Sequence, residues 1–296
     1  MYSIAKLTRF FIYSYYLRYV GYALNSIRVR ITRPKAQDHI WSTIHDYDGD
    51  LTIKINPSEH IGHRIFYEGY YEAKEVWAMK KLVTAEDYIL DIGANIGAWT
   101  LLFSKMAAKG RVYAFEPSKW FDVLQYNVLS NVSTDNVEIA QSGLGNDNGL
   151  ASIHNLAHQV AVDAPFNAGM YRLNLQPSAL DDHPIEVIRL DSWIWTNQLP
   201  RLDWIKIDTE GMEQMILLGG RDTILKFRPQ LLIEFNDRAL NHYGHSSPSL
   251  LQLLGSYGYQ YFYRAGRRGK LVRIDHTHLT LMSNQNVFCS FEPIKM

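Results

Sequence analysis

The chain has 296 residues, of which 47% are hydrophobic and 20% are charged, so its composition excludes a protein that is disordered throughout. Its 30 basic and 30 acidic residues balance, and the overall charge therefore gives no reason to expect a nucleic-acid partner. The one cysteine, Cys289, excludes an intrachain disulfide and a cysteine-rich metal cluster, and it fits a reducing compartment.

The first 49 residues predict a basic amphipathic helix that precedes the main domain. Seven basic residues come before the first acid, Asp38. Apolar side chains between them fall on one helical stripe, at Phe10, Tyr13, Leu17, Val20, Leu24 and Ile27. Arg18 interrupts this run, which is shorter than the roughly 20 residues that span a bilayer, and no convincing signal-peptide cleavage site follows. Two interpretations stay open: the helix packs on the domain or on a second copy in a dimer, or residues 3–33 contact the inner face of an anionic membrane.

Residues 50–87 predict a small β preface followed by a helix. LTIKI, residues 51–55, alternates like a half-buried strand, and HRIFYEGY, residues 63–70, is rich in strand-forming residues. From Glu72 to Leu82 apolar residues recur at helical spacing. We therefore expect two strands and then one helix.

From residue 88 onward, short apolar runs alternate with helix-length segments. The runs are YILDIG (88–93), RVYAFEP (111–117), VEIAQS (137–142), DWIKID (203–208) and QLLIEF (230–235). This alternation predicts crossover units that build a mostly parallel, doubly wound sheet with helices on both faces. Residues 50–296 are therefore expected to form one α/β domain of Rossmann-like type.

The turn after the first of these strands, DIGANIG, lies where a doubly wound sheet binds its cofactor. Gly93 would let the backbone turn sharply next to a ligand, and Gly97 would let the next helix sit close to the strand. Glu116 ends the second strand, where an acid hydrogen-bonds ribose hydroxyls. Ser142, at the end of the third strand, is a candidate for the edge of an adenine ring. The pattern predicts an adenosine-containing cofactor.

The spacing of this turn distinguishes between cofactors. Dinucleotides carry a pyrophosphate that is usually held by GxGxxG, whereas this turn reads GxNxG, with Asn95 at its centre and Asp91 just before it. An anionic side chain at the mouth of the turn disfavours a pyrophosphate and suits a cationic ligand. S-adenosylmethionine carries an ammonium and a sulfonium and no phosphate. We therefore predict S-adenosylmethionine as the cofactor, and an NAD-dependent oxidoreductase is the rival enzyme.

Three segments resemble the signature segments of the FkbM-type S-adenosylmethionine-dependent methyltransferases: ILDIGANIGAWT, VYAFEP and WIKIDTEGME. The preface IGHRIFYEGYYE and the tail from LLIEFN to NVFCSF are also similar to that family, so the resemblance covers residues 50–292. It implies a class I methyltransferase fold, with an antiparallel C-terminal hairpin beside the parallel strands, and methyl transfer to oxygen. The acceptors that it implies are sugars, glycans or secondary metabolites.

The segment IKID places charged residues at the end of the fourth strand. Lys206 lies between two isoleucines, so its stem is expected to be buried and its ammonium to need an acidic partner. A structural ion pair is one interpretation of this lysine. In the functional interpretation, neighbouring first, fourth and fifth strands bring Asp91, Asp208 and Glu234 to one crevice beside the cofactor. The candidate catalytic residues are Asp208, Glu210, Lys206 and Glu234.

Methyl transfer to an alcohol needs an acceptor oxygen that lies in line with the methyl group and a base that removes its proton. The carboxylates of the crevice are candidates for this base, and so are His242 and His245 in the loop after the fifth strand. A divalent metal held by acids at the strand ends, among them Asp237, is the alternative to a base. The family resemblance does not impose a metal, and we assign no metal ligand.

Residues 145–187 form a long, weakly patterned insertion in the domain. Such an insertion at the ligand end of a sheet is typical of a substrate wall or lid, and a β excursion that pads the sheet edge is the alternative. Trp99, Trp193 and Trp195 are candidates to stack on a sugar ring, with core packing as the alternative for each.

A non-enzymatic function is the remaining class. A membrane adaptor would use the basic N-terminal helix and keep the cofactor fold as a scaffold, but it has no need of IKIDTEGME. We predict a cytoplasmic S-adenosylmethionine-dependent O-methyltransferase, free or at the inner face of a membrane. Its acceptor is expected to be a small molecule or a glycan and not a nucleic acid.

Overall fold

The computed structural model describes residues 41–155, 171–174, 184–275 and 284–295, together with Lys6, Leu7 and Arg9. The strands are β1 (Ser42–Tyr47), β2 (Leu51–Ile55), β3 (Tyr88–Ile92), β4 (Arg111–Phe115), β5 (Val137–Ala140), β6 (Gly143–Gly145), β7 (Gly149–Asn155), β8 (Tyr171–Asn174), β9 (Ile185–Arg189), β10 (Trp204–Ile207), β11 (Gln230–Phe235), β12 (Tyr261–Ala265), β13 (Leu271–Arg273) and β14 (Gln285–Ser290). The helices are α1 (His60–Glu68), α2 (Ala73–Leu82), α3 (Ala98–Met106), α4 (Phe121–Leu129), α5 (Leu190–Asn197), α6 (Glu213–Gly219), α7 (Arg221–Phe227), α8 (Asp237–Leu240) and α9 (Ser247–Ser256).

Eight strands form the central sheet in the order β13-β12-β14-β11-β10-β3-β4-β5. The strands predicted from the five apolar runs, β3, β4, β5, β10 and β11, are parallel to one another. At one side of them β14, β12 and β13 join in antiparallel pairs. The predicted fold class, with its antiparallel C-terminal part, is confirmed. The first, fourth and fifth predicted strands are neighbours, as the crevice hypothesis requires.

Successive residues of the central strands pack into two different apolar layers. In β3, Ile89 contacts the layer formed with α2 and α3, whereas Leu90 faces the layer formed with α6 and α9. In β10, Trp204 contacts the layer formed with α2 and α3, and Ile205 contacts the layer formed with α6 and α9. A parallel sheet is stable in water only when both its faces are covered, and here helices cover both. This leaves the carboxyl ends of the strands as the open edge of the domain.

The second strand expected in the preface, at residues 63–70, is wrong, because His60–Glu68 form α1. Aromatic and β-branched residues indicated a strand, but the buried positions recur at the spacing of a helix, at Gly62, Ile65 and Phe66. Arg64 and Glu68 pair across one helical turn at 2.5 Å, which adds support that a strand would lack. Packing of this face on the domain overrides the strand propensity of the individual residues.

The β1–β2 hairpin is fastened to the domain by two asparagines from the α4 region. The amide of Lys54 donates to Oδ1 of Asn127 at 2.6 Å, and its carbonyl accepts from Nδ2 at 3.1 Å. Asn131 makes the same pair of bonds with Thr52, at 2.7 and 2.8 Å. The side-chain amides thus satisfy the outer edge of β2 as a neighbouring strand would.

The described part of the insertion forms a second, smaller sheet in the order β6-β9-β7-β8. Its strands β6 and β9 are parallel, and β7 is antiparallel to both β9 and β8. The rest of the insertion, residues 156–170 and 175–183, lies outside the described residues. The described part of the insertion therefore contains β-strands, as one of the two alternatives from the sequence predicted.

Most of the predicted N-terminal helix lies outside the described residues, but Arg9 is placed. Its side chain is fully buried, with Nη2 at 2.8 Å from Oδ1 of Asp46 and Nη1 donating to the carbonyl of Phe66 at 2.9 Å. This arginine packs on the domain, as one of the two interpretations requires. Across the described ranges, no helix is long and apolar enough to cross a membrane.

We expect Arg9→Ala to lower the free energy of unfolding by about 3 kcal/mol, because a carboxylate that loses its buried partner stays poorly solvated. Asp46 is only 15% exposed. Urea denaturation followed by circular dichroism measures the change, with Lys6→Gln at an exposed neighbour as the control. Equal stability of the two variants would mean that this ion pair does not hold the N-terminal segment on the domain.

Candidate active site

The turn between β3 and α3 has positive φ angles at Gly93 and Gly97, 82° and 83° respectively. A Cβ atom on Gly93 would lie 1.9 Å from the carbonyl oxygen of Asp208, and one on Gly97 would lie 2.6 Å from Cδ1 of Leu124. Glycine is needed at both positions because side chains would strain the backbone and have no space. The turn is thereby pressed against the end of β10 and against α4.

Glu116, directly after β4, holds the shape of this turn. Its Oε2 accepts from the amide of Asn95 at 2.7 Å, and its Oε1 accepts from the amide of Ser118 at 2.9 Å. Burial raises the pKa of Glu116, although hydrogen bonds from Ser118 and Asn95 oppose the shift. A carboxylate has about four acceptor positions, so this side chain can bind further donors besides its two amide partners.

A buried lysine joins the acids of β3 and β10. Lys206 lies opposite Asp91 in the strand register, is 3% exposed, and places Nζ 3.1 Å from Oδ2 of Asp208. Burial lowers the pKa of Lys206, but the charges of Asp208, Asp91 and Glu72 outweigh burial and raise it above its ordinary value. The lysine therefore stays charged and fixes the position of Asp208.

Asp91 is fully buried, and only one of its oxygens is paired. Oδ2 accepts from Oγ1 of Thr100 at 2.6 Å, whereas Oδ1 is buried without a hydrogen-bond partner. Burial raises the pKa of Asp91, and the charge of Lys206 opposes that shift. Burying a carboxylate oxygen without a hydrogen-bond partner costs folding free energy. Such oxygens are typical of functional sites, including sites where a ligand supplies the missing partner.

Glu72 lies between α1 and α2 and joins three distant parts of the chain. Its Oε2 accepts from Nε1 of Trp99 at 2.8 Å, and its Oε1 accepts from Nδ2 of Asn286 on β14. Its backbone is left-handed, with φ 57° and ψ 50°, a conformation that is uncommon outside glycine. Burial and the charge of Asp208 raise its pKa to about 7, against the opposing charge of Lys206. The carboxyl group is thus held firmly and titrates near neutrality.

Two more titratable groups share the field of these acids. Burial raises the pKa of Glu234 on β11 well above its usual value, and the charges of Asp208, Glu213 and Glu210 add to the shift. Burial likewise raises the pKa of Tyr71, followed by the charge of Glu72. These shifts favour the protonated forms of Glu234 and Tyr71 relative to the same side chains in water.

The segment after β10 is shaped by Glu213 at the start of α6. This side chain is 1% exposed, and its Oε1 accepts from the amides of Thr209 and Gly211 at 3.0 and 3.2 Å. Glu210, between them, has a left-handed backbone with φ 55°. The two glutamates of the segment TEGME, residues 209–213, therefore have different roles. Glu213 fixes the conformation of the loop, and the loop in turn fixes the positions of Glu210 and of Asp208 just before it.

An open cavity lies at the carboxyl ends of β3, β4 and β10. Its empty volume is about 810 Å³ including the open mouth. Its lining is Ile61, Tyr71, Ile92, Gly93, Asn95, Phe115, Glu116, Pro117, Ser142, Gly143, Leu144, Leu173, Asp208, Thr209, Glu210 and Met212. Leu144 and Leu173 come from the small sheet, which therefore supplies one wall.

Six of the ten site residues predicted from the sequence line this cavity: Gly93, Asn95, Glu116, Ser142, Asp208 and Glu210. Asp91, Gly97, Lys206 and Glu234 do not, although Lys206 contacts the lining residue Asp208. Sequence reasoning missed Tyr71, which lines the cavity, and Glu72 beside it. An acid and a tyrosine just before a predicted helix were the only signal available for these two.

The tryptophans considered for sugar stacking and the histidines considered as bases, His242 and His245, do not line the cavity. Trp195 is 84% exposed, Trp193 packs edge-on against Tyr113 and Phe115, and Trp99 is buried with its indole on Glu72. Among the residues that the structure describes, no three histidine, cysteine or acidic side chains are grouped so as to hold a metal ion.

Residues 91–261, more than half of the chain, match the family model described as the methyltransferase FkbM domain. The chain belongs to the FkbM methyltransferase family. The matched segment contains the cofactor turn, Glu116 and the TEGME loop, which are the features that carried the resemblance. Membership confirms that resemblance and the prediction of S-adenosylmethionine as the cofactor of a methyltransferase.

This FkbM methyltransferase is similar in sequence to three named relatives. It is 27% identical over 211 residues to Methyltransferase 1 of Beauveria bassiana, covering 64% of this chain and 79% of that one. It is 25% identical over 176 residues to the 2-O-methyltransferase NoeI of Sinorhizobium fredii, covering 57% and 71%. It is also 24% identical over 241 residues to the AMB antimetabolite synthetase AmbE of Pseudomonas aeruginosa, covering 70% of this chain but only 11% of AmbE.

A solved structure of the same family gives a comparison of shape. The crystal structure of Methyltransferase FkbM from Methylobacillus flagellatus is 16% identical, with a TM-score of 0.46, over 76% of this chain and 52% of that one. The chain thus spans about half of that protein and a small part of AmbE.

Proposed function

We propose that this FkbM methyltransferase transfers the methyl group of S-adenosylmethionine to an acceptor hydroxyl. The observation that carries the proposal is the position of Glu72, whose carboxyl group is fixed by Trp99 and Asn286 next to the cavity wall at Tyr71. Burial and the charge of Asp208 raise its pKa to about 7. An alcohol is a poor nucleophile at neutral pH, and a base is most effective when its pKa lies near the working pH. The name of NoeI, a 2-O-methyltransferase, supports the same reaction type.

The residues of the cavity fit S-adenosylmethionine. Glu116 has acceptor positions left for ribose hydroxyls, and Oγ of Ser142 is buried in the lining without a hydrogen-bond partner. The negative charge of Asp208, with that of Asp91 behind it, suits an ammonium and a sulfonium. We assign cofactor binding to the turn Gly93–Gly97, Glu116 and Ser142. The bound cofactor supplies an electrophilic methyl group.

The chain's own residues then prepare the acceptor. Asp208, held by Lys206, and Glu210 line the cavity and orient the acceptor hydroxyl, which is the main source of rate in an in-line displacement. Glu72 removes the hydroxyl proton, and Trp99 and Asn286 keep its carboxyl group in place. Glu234 raises the proton affinity of this cluster and is assigned a supporting role.

Isothermal titration with S-adenosylmethionine, and with NAD as the control, tests the cofactor. We then expect transfer of a labelled methyl group to hydroxyl compounds in a screen of sugars, glycans and secondary metabolites. The product should be a methyl ether, which resists mild base, whereas a methyl ester is hydrolysed. Labelled esters or amines in place of ethers would contradict the proposal.

We expect Glu116→Gln to weaken S-adenosylmethionine binding by about 1.5–3 kcal/mol, the range for hydrogen bonds that involve a charged group. The amide retains one acceptor oxygen but no charge. Titration calorimetry measures the effect, and Glu138→Gln, at an exposed position on neighbouring β5, is the matched control. Equal affinity in both variants would remove Glu116 from the cofactor site.

The acceptor class, cellular location and assembly stay predictions. We propose a sugar, glycan or secondary-metabolite acceptor and a cytoplasmic protein, with contact of residues 3–33 with a membrane surface or with a second copy as the two alternatives for the N-terminal segment. Arg9 is committed to Asp46, so it is not available to bind anionic lipids.

A further inference from the structure

Tyr243, which follows α8, contacts two separate parts of the cavity wall. Its hydroxyl donates to the main-chain carbonyl of Leu173 on β8 at 2.8 Å. Its ring lies beside Gly211, where an added Cβ atom would be 3.0 Å from Cδ2 of the tyrosine. Leu173 lines the cofactor cavity, and Gly211 belongs to the loop that carries the lining residue Glu210. The proposed function assigns no role to this tyrosine.

The strand that Tyr243 holds is the outermost strand of the small sheet. The sheet has the order β6-β9-β7-β8, so β7 is the one strand that pairs with β8 among the described residues. A strand at the edge of a sheet is held on one side only, and it is therefore the part that moves most easily. The hydrogen bond from Tyr243 ties this edge to the main domain across 70 residues of sequence.

Leu173 reaches the cavity because Gly143 leaves room for its side chain. A Cβ atom on Gly143, in β6, would lie 2.8 Å from Cδ1 of Leu173. β6 and β8 are at opposite ends of the small sheet, yet these two residues lie against each other and both line the cavity. The sheet is therefore curled, as glycine in a strand allows, and its last strand returns over its first. The side chain of Leu173 thus closes this part of the cavity.

The two ends of the small sheet are attached to the domain in different ways. At β6 the contact is main chain against main chain, because a Cβ atom on Gly219 at the end of α6 would collide with the carbonyl oxygen of Gly145. At β8 the side chain of Tyr243 makes the hydrogen bond to the strand. A substitution at Tyr243 can therefore change the position of β8 while β6 stays in place.

We propose that Tyr243 is a positioning residue of the cofactor site. Its hydrogen bond to β8 holds Leu173 over the bound S-adenosylmethionine, and its ring keeps this wall beside the loop of Glu210. Without the bond, β8 moves away from the cavity more readily, and the cofactor or its product dissociates faster. This inference rests on the proposed function, because it uses the assignment of the cofactor to this cavity.

The dissociation rate of S-adenosylhomocysteine from the full-length protein tests the proposal. Radiolabelled S-adenosylhomocysteine is bound, an excess of unlabelled compound is added, and the loss of bound label is followed with time. Tyr243→Phe, which removes only the hydroxyl, should raise this rate about 2- to 12-fold, as the loss of one neutral hydrogen bond allows. Tyr259→Phe is the matched control, because its hydroxyl also donates to a main-chain carbonyl at 2.8 Å, that of Pro229 at the opposite end of β11. Its rate should equal that of the wild-type protein.

A double variant tests whether Tyr243 acts through Leu173. Leu173→Ala should itself raise the dissociation rate about fivefold or more, because it removes an apolar part of the wall. Added to Leu173→Ala, the Tyr243→Phe substitution should change the rate by less than about twofold, since no large side chain is left to be held. Full and independent effects of the two substitutions would overturn a role through Leu173.

The outcomes separate this inference from the proposed function. A wild-type protein that does not bind S-adenosylhomocysteine overturns the proposed function and its cofactor site. Wild-type binding with an unchanged rate in Tyr243→Phe, or an equal increase in Tyr259→Phe, overturns the positioning role alone. If Tyr243→Phe does not fold, Gly143→Ala takes its place, because its methyl group would displace the end of Leu173. An unchanged rate in that variant would overturn the positioning role as well.

Discussion

Replacement of Glu72 by glutamine should reduce kcat/KM for methyl transfer roughly 10²- to 10⁴-fold, the usual contribution of a general base. The amide is nearly isosteric but cannot take a proton. In the wild-type enzyme the rate should rise with pH through about 7 and level off above it, because burial and Asp208 raise the pKa of Glu72 to about 7 and only the deprotonated form accepts a proton. In the glutamine variant this rise should disappear.

The acceptor identified in the hydroxyl screen provides the rate measurement. A second measurement is independent of the acceptor: in protein labelled with ¹³C at glutamate carboxyl groups, a resonance that titrates near pH 7 should be absent from the variant. Glu86→Gln, at an exposed surface pair with Lys109, is the control for both experiments. A variant that keeps the wild-type pH profile would mean that another acid is the base, and Glu234 would be the next candidate.

Gly93→Ala should abolish cofactor binding and lower the free energy of unfolding by about 2–6 kcal/mol. The estimate combines about 1–3 kcal/mol for a side chain on a left-handed backbone with about 1–3 kcal/mol for overpacking. The added methyl group would lie 1.9 Å from the carbonyl oxygen of Asp208, which is main chain and cannot rotate away. The turn and the end of β10 would have to separate, and both line the cofactor cavity.

Gly49→Ala is the matched control for this substitution. Gly49 also has positive φ, at 98°, but an added Cβ atom would meet nothing within 4 Å. It should therefore show only the backbone cost of about 1–3 kcal/mol and normal cofactor binding. Thermal and urea denaturation together with titration calorimetry compare the two variants. Equal losses in both would mean that the contact of Gly93 with Asp208 can relax without consequence.

The parallel half of the fold was predictable because its strands are short apolar runs, and all of them except β5 at the edge are mostly buried. The positions of the glycine turn and Glu116 beside the cavity were predictable for a related reason, since they follow from the backbone geometry at the ends of β3 and β4. The preface was predicted less well. In α1, strand-forming aromatic residues concealed a helical spacing that becomes decisive only when the helix packs on β2 and the core.

Glu72 could not be assigned from the sequence, because its environment is assembled over long separations. Its carboxyl group depends on Trp99, 27 residues away, and on Asn286, 214 residues away. No local sequence pattern predicts contacts between residues so far apart in the chain. Lys206 shows the opposite case. The two isoleucines beside it predicted its burial, and the fold places it opposite Asp91 and in contact with Asp208.

The position of β14 has a consequence for protein synthesis. This strand follows β12 and β13 in the chain, yet it inserts between β11 and β12 in the sheet and brings Asn286 to Glu72. A nascent chain that has emerged only as far as Arg273 lacks one of the two groups that hold the proposed base, and it lacks the buried side chains of β14. Ribosome-bound intermediates of this length should therefore not methylate, so that catalysis begins only when the sheet is complete.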